Sequence, residues 1–246
     1  MAETYPVPQI VWARFFFHVI FLVVLLRGRL LRLMVSKAIG LQVFRSILMA
    51  VMTGLYFAAL QVRPLADTAV VMYVAPLIVT MLSVPFLGES VGPRRWASVC
   101  VGFLGVLIII RPGAGVMQFA ALLPLGAAVL HTFYQITTRK VSAVDAPLTS
   151  LVYTALVGGI FTTVWMPMVW QTPDVRGWGL MILMGLRGGG GHFALIKAFQ
   201  ATPTSTATPF SYTNLIWVTA YGFILFGDLP DNWTIAGASI AVMSGL

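Results

Sequence analysis

AALQVRPLADTAVVMYVAPLIVTMLSVPFLGE, residues 58–89, lies without a gap over KAFQATPTSTATPFSYTNLIWVTAYGFILFGD, residues 197–228, at an offset of 139. Ala59, Gln61, Pro64, Tyr73, Val79, Thr80 and Gly88 meet identical residues at Ala198, Gln200, Pro203, Tyr212, Val218, Thr219 and Gly227, and Glu89 meets Asp228. Apolar stretches match one another easily, so the weight of this internal repeat rests on its polar pairs. Each copy holds an apolar run of the length a membrane span needs, about 20 residues at about 1.5 Å each. Working outward, about nine such runs fill the chain: residues 7–26, 38–60, 67–87, 96–110, 117–137, 148–170, 178–199, 206–226 and 233–246. The copies fall on the third and eighth runs, an odd step of about five along the chain, so they run in opposite directions through the bilayer. The expected fold is therefore an all-α, polytopic transmembrane helix bundle with an inverted repeat. Many secondary transporters have this architecture, with the substrate site near the midplane between halves that rock about it.

Composition agrees. Of 246 residues, 59% are hydrophobic and 9% charged, against about 25% charged in a soluble domain, so apolar side chains must face lipid as well as one another. The net charge of +8 would point to nucleic acid if the basic residues shared one soluble face. Instead they sit between apolar runs, as cytoplasmic loops of membrane proteins require, and no nucleic-acid partner is expected. The lone Cys100 excludes an internal disulfide framework or a cysteine metal site. The first nine residues contain Glu3 and no Lys or Arg, so the positive region of a cleavable signal is missing.

Pairing the first run with the sixth, second with seventh, third with eighth and fourth with ninth leaves 117–137 without a mate. The expectation is about ten spans in two halves of about five, with this chain starting one helix late and its last run, about 21 Å of helix, stopping short of the ~30 Å hydrocarbon core. The halves fall at 1–112, with four helices, and 113–246, with five. Arg27, Arg29, Arg32, Lys37, Arg94, Arg95, Arg139, Lys140 and Lys197 then gather on one side, against Arg63, Arg111 and Arg176 on the other. The rich side is cytoplasmic and the N-terminus outside. Trp96, Trp170, Trp178 and Trp233 fall at predicted helix ends, where indoles favour the headgroup layer.

Several stretches resemble the EamA family of the drug/metabolite transporter superfamily: PQIVWARFFFHVI (8–20), the region from RSILMAV to LGESVGPRRW (45–96), GFLGVLIIIRPGAG (102–115), HTFYQITTRK (131–140) and the region from GHFALIKAFQ to FGDLPD (191–231). The order and spacing of the span-ending LGE, the following RRW and then GVLIIIRP are the most telling. The resemblance implies ten helices, an inverted five-plus-five repeat, and carriage of amino acids or other small metabolites across a bacterial inner membrane, commonly outward, by alternating access. It also implies that the family's first helix, which helps line the central cavity, is missing here. The alternative reading is a non-transporting truncated membrane fragment or assembly partner. The expected partners are the lipid bilayer and a small-molecule substrate, with a homodimer left open and no cofactor.

Arg187 is the sharpest single residue, because a central arginine costs at least about 2.5–3.5 kcal/mol on insertion scales. It either binds a substrate carboxylate or is held by carbonyls or a polar neighbour. His131, Tyr134, Gln135, His192, Tyr73, Tyr212, Asn214 and Trp217 complete the expected binding set, since a polar and aromatic lining suits a zwitterionic or ring-bearing solute; interhelical hydrogen bonding is the alternative for each. Pro76 and Pro209, like Pro85, Pro124 and Pro167, are candidate bending points for gating or are simply tolerated. Glu89 with Arg94 and Arg95 anchors a cytoplasmic turn or closes an ionic gate. Gly185 and Gly189 form a small-xxx-small pair for close packing, and the run Gly188 to Gly191 is expected to loosen the helix locally. His18 is read as a packing residue, and Arg14 and Arg45 as snorkelling toward the interface.

Enzymatic readings find no support. The chain has no HExxH, no Walker phosphate loop, no GxSxG elbow and no acidic metal cluster, so neither catalytic nor metal-ligating residues are expected. Its four glycines neither follow a strand nor open a βαβ unit, as a dinucleotide fingerprint must.

Overall fold

A computed structural model describes residues 4–62, 65–72, 74–88, 90–110, 117–203, 213–227 and 231–245. Its helices are α1 (Val7–Leu26), α2 (Leu30–Leu33) after a 3-10 turn at Arg27–Arg29, α3 (Ile39–Leu60), α4 (Leu65–Met72), α5 (Val74–Leu87), α6 (Pro93–Ile110), α7 (Met117–Ser142), α8 (Pro147–Thr163), α9 (Met166–Val169), α10 (Val175–Ala201), α11 (Thr213–Phe226) and α12 (Asn232–Gly245). Each predicted run is mostly helical where it is described, and the fold is an all-α membrane helix bundle. Among the described residues, Val7–Leu33, Ile39–Leu60 and Val175–Ala201 are long and apolar enough by themselves to cross a membrane.

The chain packs as two compact units, one of Met1–Phe57 with Thr137–Thr202, the other of Ala58–Ile136 with Pro203–Leu246. In the first, α1 lies against α8 and α10. The Trp12 indole N–H donates to Thr163 Oγ1 at 3.1 Å, whereas Leu22 shares a core with Leu151, Val152 and Ile196. Thus α1 and α8, mates in the expected repeat, run antiparallel, and α10 runs parallel to α1. In the second unit α12 packs on α6 and α11 on α4, again pairs set as mates by the expected repeat. Val74, Ala75, Leu77, Val99 and Ala128 form that unit's core, where the Thr132 hydroxyl reaches the Ala75 and Ala128 carbonyls at 3.3 and 3.0 Å.

Glycine sets the spacing of α1 and α10. The buried stripe Gly177, Met181, Gly185 and Gly189 recurs every four residues, one face of a helix. A Cβ on Gly185 would lie 2.5 Å from Phe17 Cβ and 3.0 Å from the His18 backbone nitrogen. The close-packing role of Gly185 and Gly189 is therefore seen directly. The expected loosening at Gly188 to Gly191 is not: α10 is helical throughout, because in an apolar medium each backbone group must keep its intrahelical partner.

Three further boundaries differ from expectation. The run 148–170 ends as a helix at Thr163, and Pro167 falls in the first turn of the short α9, where its missing N–H is tolerated, rather than bending a span. Helix α7 continues past 137 to Ser142 because protein replaces water there: Arg139 donates to the Phe199 carbonyl and Ser142 to the Thr138 carbonyl. Helix α10 starts earlier than hydropathy indicates because Asp174 caps it, its Oδ1 accepting the Gly177 N–H at 2.7 Å.

Candidate substrate-binding site

The approach of α1 to α10 brings Arg14 alongside Gly188, with Arg14 Nε 3.3 Å from where a Cβ would stand. The guanidinium then reaches two more side chains. Nη1 donates to Thr53 Oγ1 of α3 at 2.6 Å, and Nη2 donates to His192 Nε2 of α10 at 2.5 Å. Because Nε2 accepts, the ring proton of a neutral His192 belongs on Nδ1. Thr53 is buried and donates its own proton to the Met49 carbonyl at 2.7 Å. One turn along α1, His18 is 2% exposed against Gly189, and its Nε2 has no hydrogen-bond partner among the described residues. Three helices thus place a guanidinium, an imidazole and a hydroxyl together inside the apolar part of this unit. Snorkelling does not describe this arginine. Its planar fork suits a carboxylate or phosphate.

Arg45 departs further from expectation, since it is fully buried. Its Nε donates to Thr138 Oγ1 at 3.1 Å, and Nη1 donates to Gln42 Oε1 at 3.0 Å and to the Ser150 carbonyl at 2.9 Å. The Gln42 amide passes the contact on, donating to Asp145 Oδ2 at 2.9 Å and to Ser150 Oγ at 3.0 Å. Asp145 also accepts from the Ser36 hydroxyl and the Lys37 N–H. Partial burial alone would raise the Asp145 pKa, but these hydrogen bonds and the Lys37 charge outweigh it and hold the carboxyl below its usual range. The network therefore bridges a buried cation and a loop carboxylate through an amide, tying α3, α7 and α8 together.

A second tie lies at the opposite end of α1. Gln9 donates to the Gln171 carbonyl at 2.6 Å and accepts the Gln171 N–H at 2.9 Å. The Tyr5 hydroxyl donates to Asp174 Oδ1 at 2.9 Å. The Gly177 N–H and then Tyr5 lower the Asp174 pKa, whereas desolvation and the adjacent carboxylate raise that of Tyr5. The unit is thus fastened at both ends around the Arg14 cluster. Its apolar surface cavity of about 430 Å³, lined by Phe16, Val19, Leu156, Ile160 and neighbours, includes neither Arg14 nor His192.

Of the residues expected from sequence to bind substrate, His192 joins this cluster. Arg187 is exposed on the face of α10 opposite Gly185 and Gly189. His131, Tyr134 and Gln135 stay together on α7, in the second unit: the His131 and Tyr134 rings stack at 6.1 Å, and Gln135 Nε2 lies 3.3 Å from His131 Nδ1. Tyr134 and Gln135 are buried. Asn214 and Trp217 are exposed on α11, Trp217 beside Tyr221. Pro76 is buried in α5, its carbonyl accepting from Thr80 at 3.0 Å. Tyr73, Tyr212, Pro209 and Glu89 lie outside the described residues, as does the side chain of Arg95. Arg14, Thr53 and the Arg45 network were missed as site residues. The available signal was Arg14 and His18 at i and i+4, two ionisable residues stacked on one face of a largely apolar helix.

A model of the EamA-like transporter family matches residues 1–111 and 118–246. The chain belongs to the EamA-like transporter family. This family member is 32% identical over 182 residues to a riboflavin transporter of Vibrio cholerae, covering 74% of this chain and 61% of that protein. It is 27% identical over 187 residues to an S-adenosylmethionine uptake transporter of Rickettsia bellii, covering 76% and 64%. To the pseudopaline exporter CntI of Pseudomonas aeruginosa it is 25% identical over 248 residues, covering 99% and 86%. The chain therefore spans less than two thirds of the length of the first two relatives. A crystal structure with 16% sequence identity superposes with a TM-score of 0.75 over 99% of this chain and 88% of that one, which establishes the fold alone.

Proposed function

We propose that this EamA-like protein is a secondary transporter carrying small polar metabolites across the bacterial inner membrane by alternating access, and that Arg14 holds an anionic group of the solute. One observation carries the reading: an arginine within a span is held by Thr53 and His192 from two other helices. The planar fork of Arg14 matches the two oxygens of a carboxylate, so an anionic group of a solute fits the cluster geometrically. Membership of a transporter family supports transport as the activity. The similarity to proteins named for riboflavin, S-adenosylmethionine and pseudopaline supports a small organic solute. The halves 1–112 and 113–246 are proposed as the moving repeats, a reading supported by the two separate family matches and by the antiparallel mates α1 and α8. Arg187, His131, Tyr134, Gln135, Asn214 and Trp217 are proposed as further contacts along the solute's route, and Pro76 as a bending point.

Purified chain in proteoliposomes, loaded with and without cold solute, tests this with labelled S-adenosylmethionine and riboflavin as probes. Uptake or exchange is expected for the carboxylate-bearing probe, with at least a tenfold loss in Arg14→Gln, equivalent to about 1.4 kcal/mol. Equal transport by Arg14→Gln and wild type would remove Arg14 from the site. Absence of exchange across a wider metabolite panel would favour the non-transporting alternative.

A further inference from the structure

We infer that the corner where α1 ends, built by Arg27, Arg29 and Arg32, is a headgroup site for an anionic phospholipid of the adjoining leaflet. Helix α1 does not fade out but is turned by Arg27, whose φ of 44° and ψ of −130° give it a conformation natural to glycine. It is the one non-glycine residue with positive φ among the described residues. Its N–H still caps the Val23 carbonyl. The chain then makes the 3-10 turn and the single helical turn of α2, which sorts its side chains. Leu26, Leu30 and Leu33 turn toward the core of Leu22, Leu151, Val152 and Ile196, while all three arginines are exposed.

The apolar side chains beside them are exposed too: Val24 is 69% accessible, Leu31 76% and Val35 78%. Water suits the guanidinium groups but not these neighbours, and a free phosphate would satisfy the arginines alone. A phospholipid meets both needs, presenting its phosphate to the fork of an arginine and its acyl chains to Val24 and Leu31. Charge complementarity selects the anionic class, because no Asp or Glu occurs from residue 4 to residue 66. Asp145, the acid fastened at this end of the unit, is engaged by Ser36, the Lys37 N–H and Gln42. Clustered basic residues immediately following a span are favoured beside anionic lipid. The glycine-like turn holds Arg27 at the exit of the span, at the start of the 3-10 turn.

The test uses the full chain in neutral detergent, with phosphatidylglycerol and phosphatidylcholine of identical acyl chains as probes and native mass spectrometry as readout. Phosphatidylglycerol is expected to be retained about tenfold more than phosphatidylcholine. The preference should shrink in about 0.5 M salt, where the Debye length is only a few ångströms, and vanish in Arg29→Gln with Arg32→Gln. A second variant separates binding from folding: Arg27→Gly removes a charge and relaxes the turn, so its unfolding temperature without lipid should not fall while its phosphatidylglycerol preference weakens. Equal retention of the two lipids by wild type, or an unchanged preference in both variants, overturns the proposal. So does inorganic phosphate if it shifts the unfolding temperature as much as phosphatidylglycerol does.

Discussion

Adding one methyl group at Gly185 should separate α1 from α10. A Cβ there lies 2.5 Å from Phe17 Cβ and 3.0 Å from both the His18 nitrogen and the Phe17 carbonyl carbon, whereas carbon atoms rest about 3.5–4.0 Å apart. Two of the three obstacles are backbone, so no rotamer change clears them and α1 must retreat by about 1 Å. A gap of that size forfeits a quarter to a half of each dispersion contact along the stripe, and overpacking of this kind costs about 1–3 kcal/mol. Alanine's advantage within a helix returns about 0.5–1 kcal/mol, leaving Gly185→Ala about 1–2 kcal/mol less stable. The controls are two residues in the same helix: Gly190 and Gly191 have nothing within 4 Å of a Cβ, so their alanine variants keep only the gain. At about 2–4 °C per kcal/mol for a chain of this size, Gly185→Ala should unfold roughly 2–8 °C lower in mild detergent. Gly190→Ala and Gly191→Ala should unfold roughly 1–4 °C higher. A Gly185→Ala protein as stable as wild type would refute the close approach on which the placement of Arg14 depends.

Arg45→Met should destabilise the chain by about 2–4 kcal/mol, since it strands buried acceptors at Gln42 and Thr138, and the loss would be read as a lower unfolding temperature; an unchanged temperature would contradict the buried network. Asp145 stays ionised to lower pH in the folded chain than in the unfolded one. Its contribution is therefore complete above the unfolded pKa near 3.8 and is lost as pH falls through the lower folded value. Asp145→Asn should consequently be less stable than wild type at pH 7, with the difference narrowing in acid; a gap that stays constant down to pH 3, roughly the foot of the aspartate range, would show that the charge is irrelevant. Arg187→Ala is expected to lose binding of zwitterionic solutes while still inserting in membranes, and unchanged binding in detergent would remove Arg187 from the solute's route.

Much of the architecture was legible before any coordinates. Span positions follow from the ~1.5 Å rise and the width of the hydrocarbon core, and the predicted 7–26 coincides with α1 while 38–60 misses α3 by one residue. The Gly185 and Gly189 pair was readable because a four-residue period defines one helix face. Boundaries failed where protein took the place of water: α7 runs on through Arg139 to Ser142, and Asp174 starts α10 ahead of its apolar run.

Sequence by itself determined that this chain is a membrane helix bundle, because hydropathy and helix rise are properties of the linear chain. Only the tertiary structure decided what each intramembrane polar group does. Arg14, Arg45 and Arg187 look alike in a hydropathy profile, yet one joins Thr53 and His192, one is wholly buried beside Gln42, and one is exposed. A buried charge is stabilised by partners contributed from distant positions, and Thr53 and His192 lie 39 and 178 residues from Arg14, so no local pattern could reveal them.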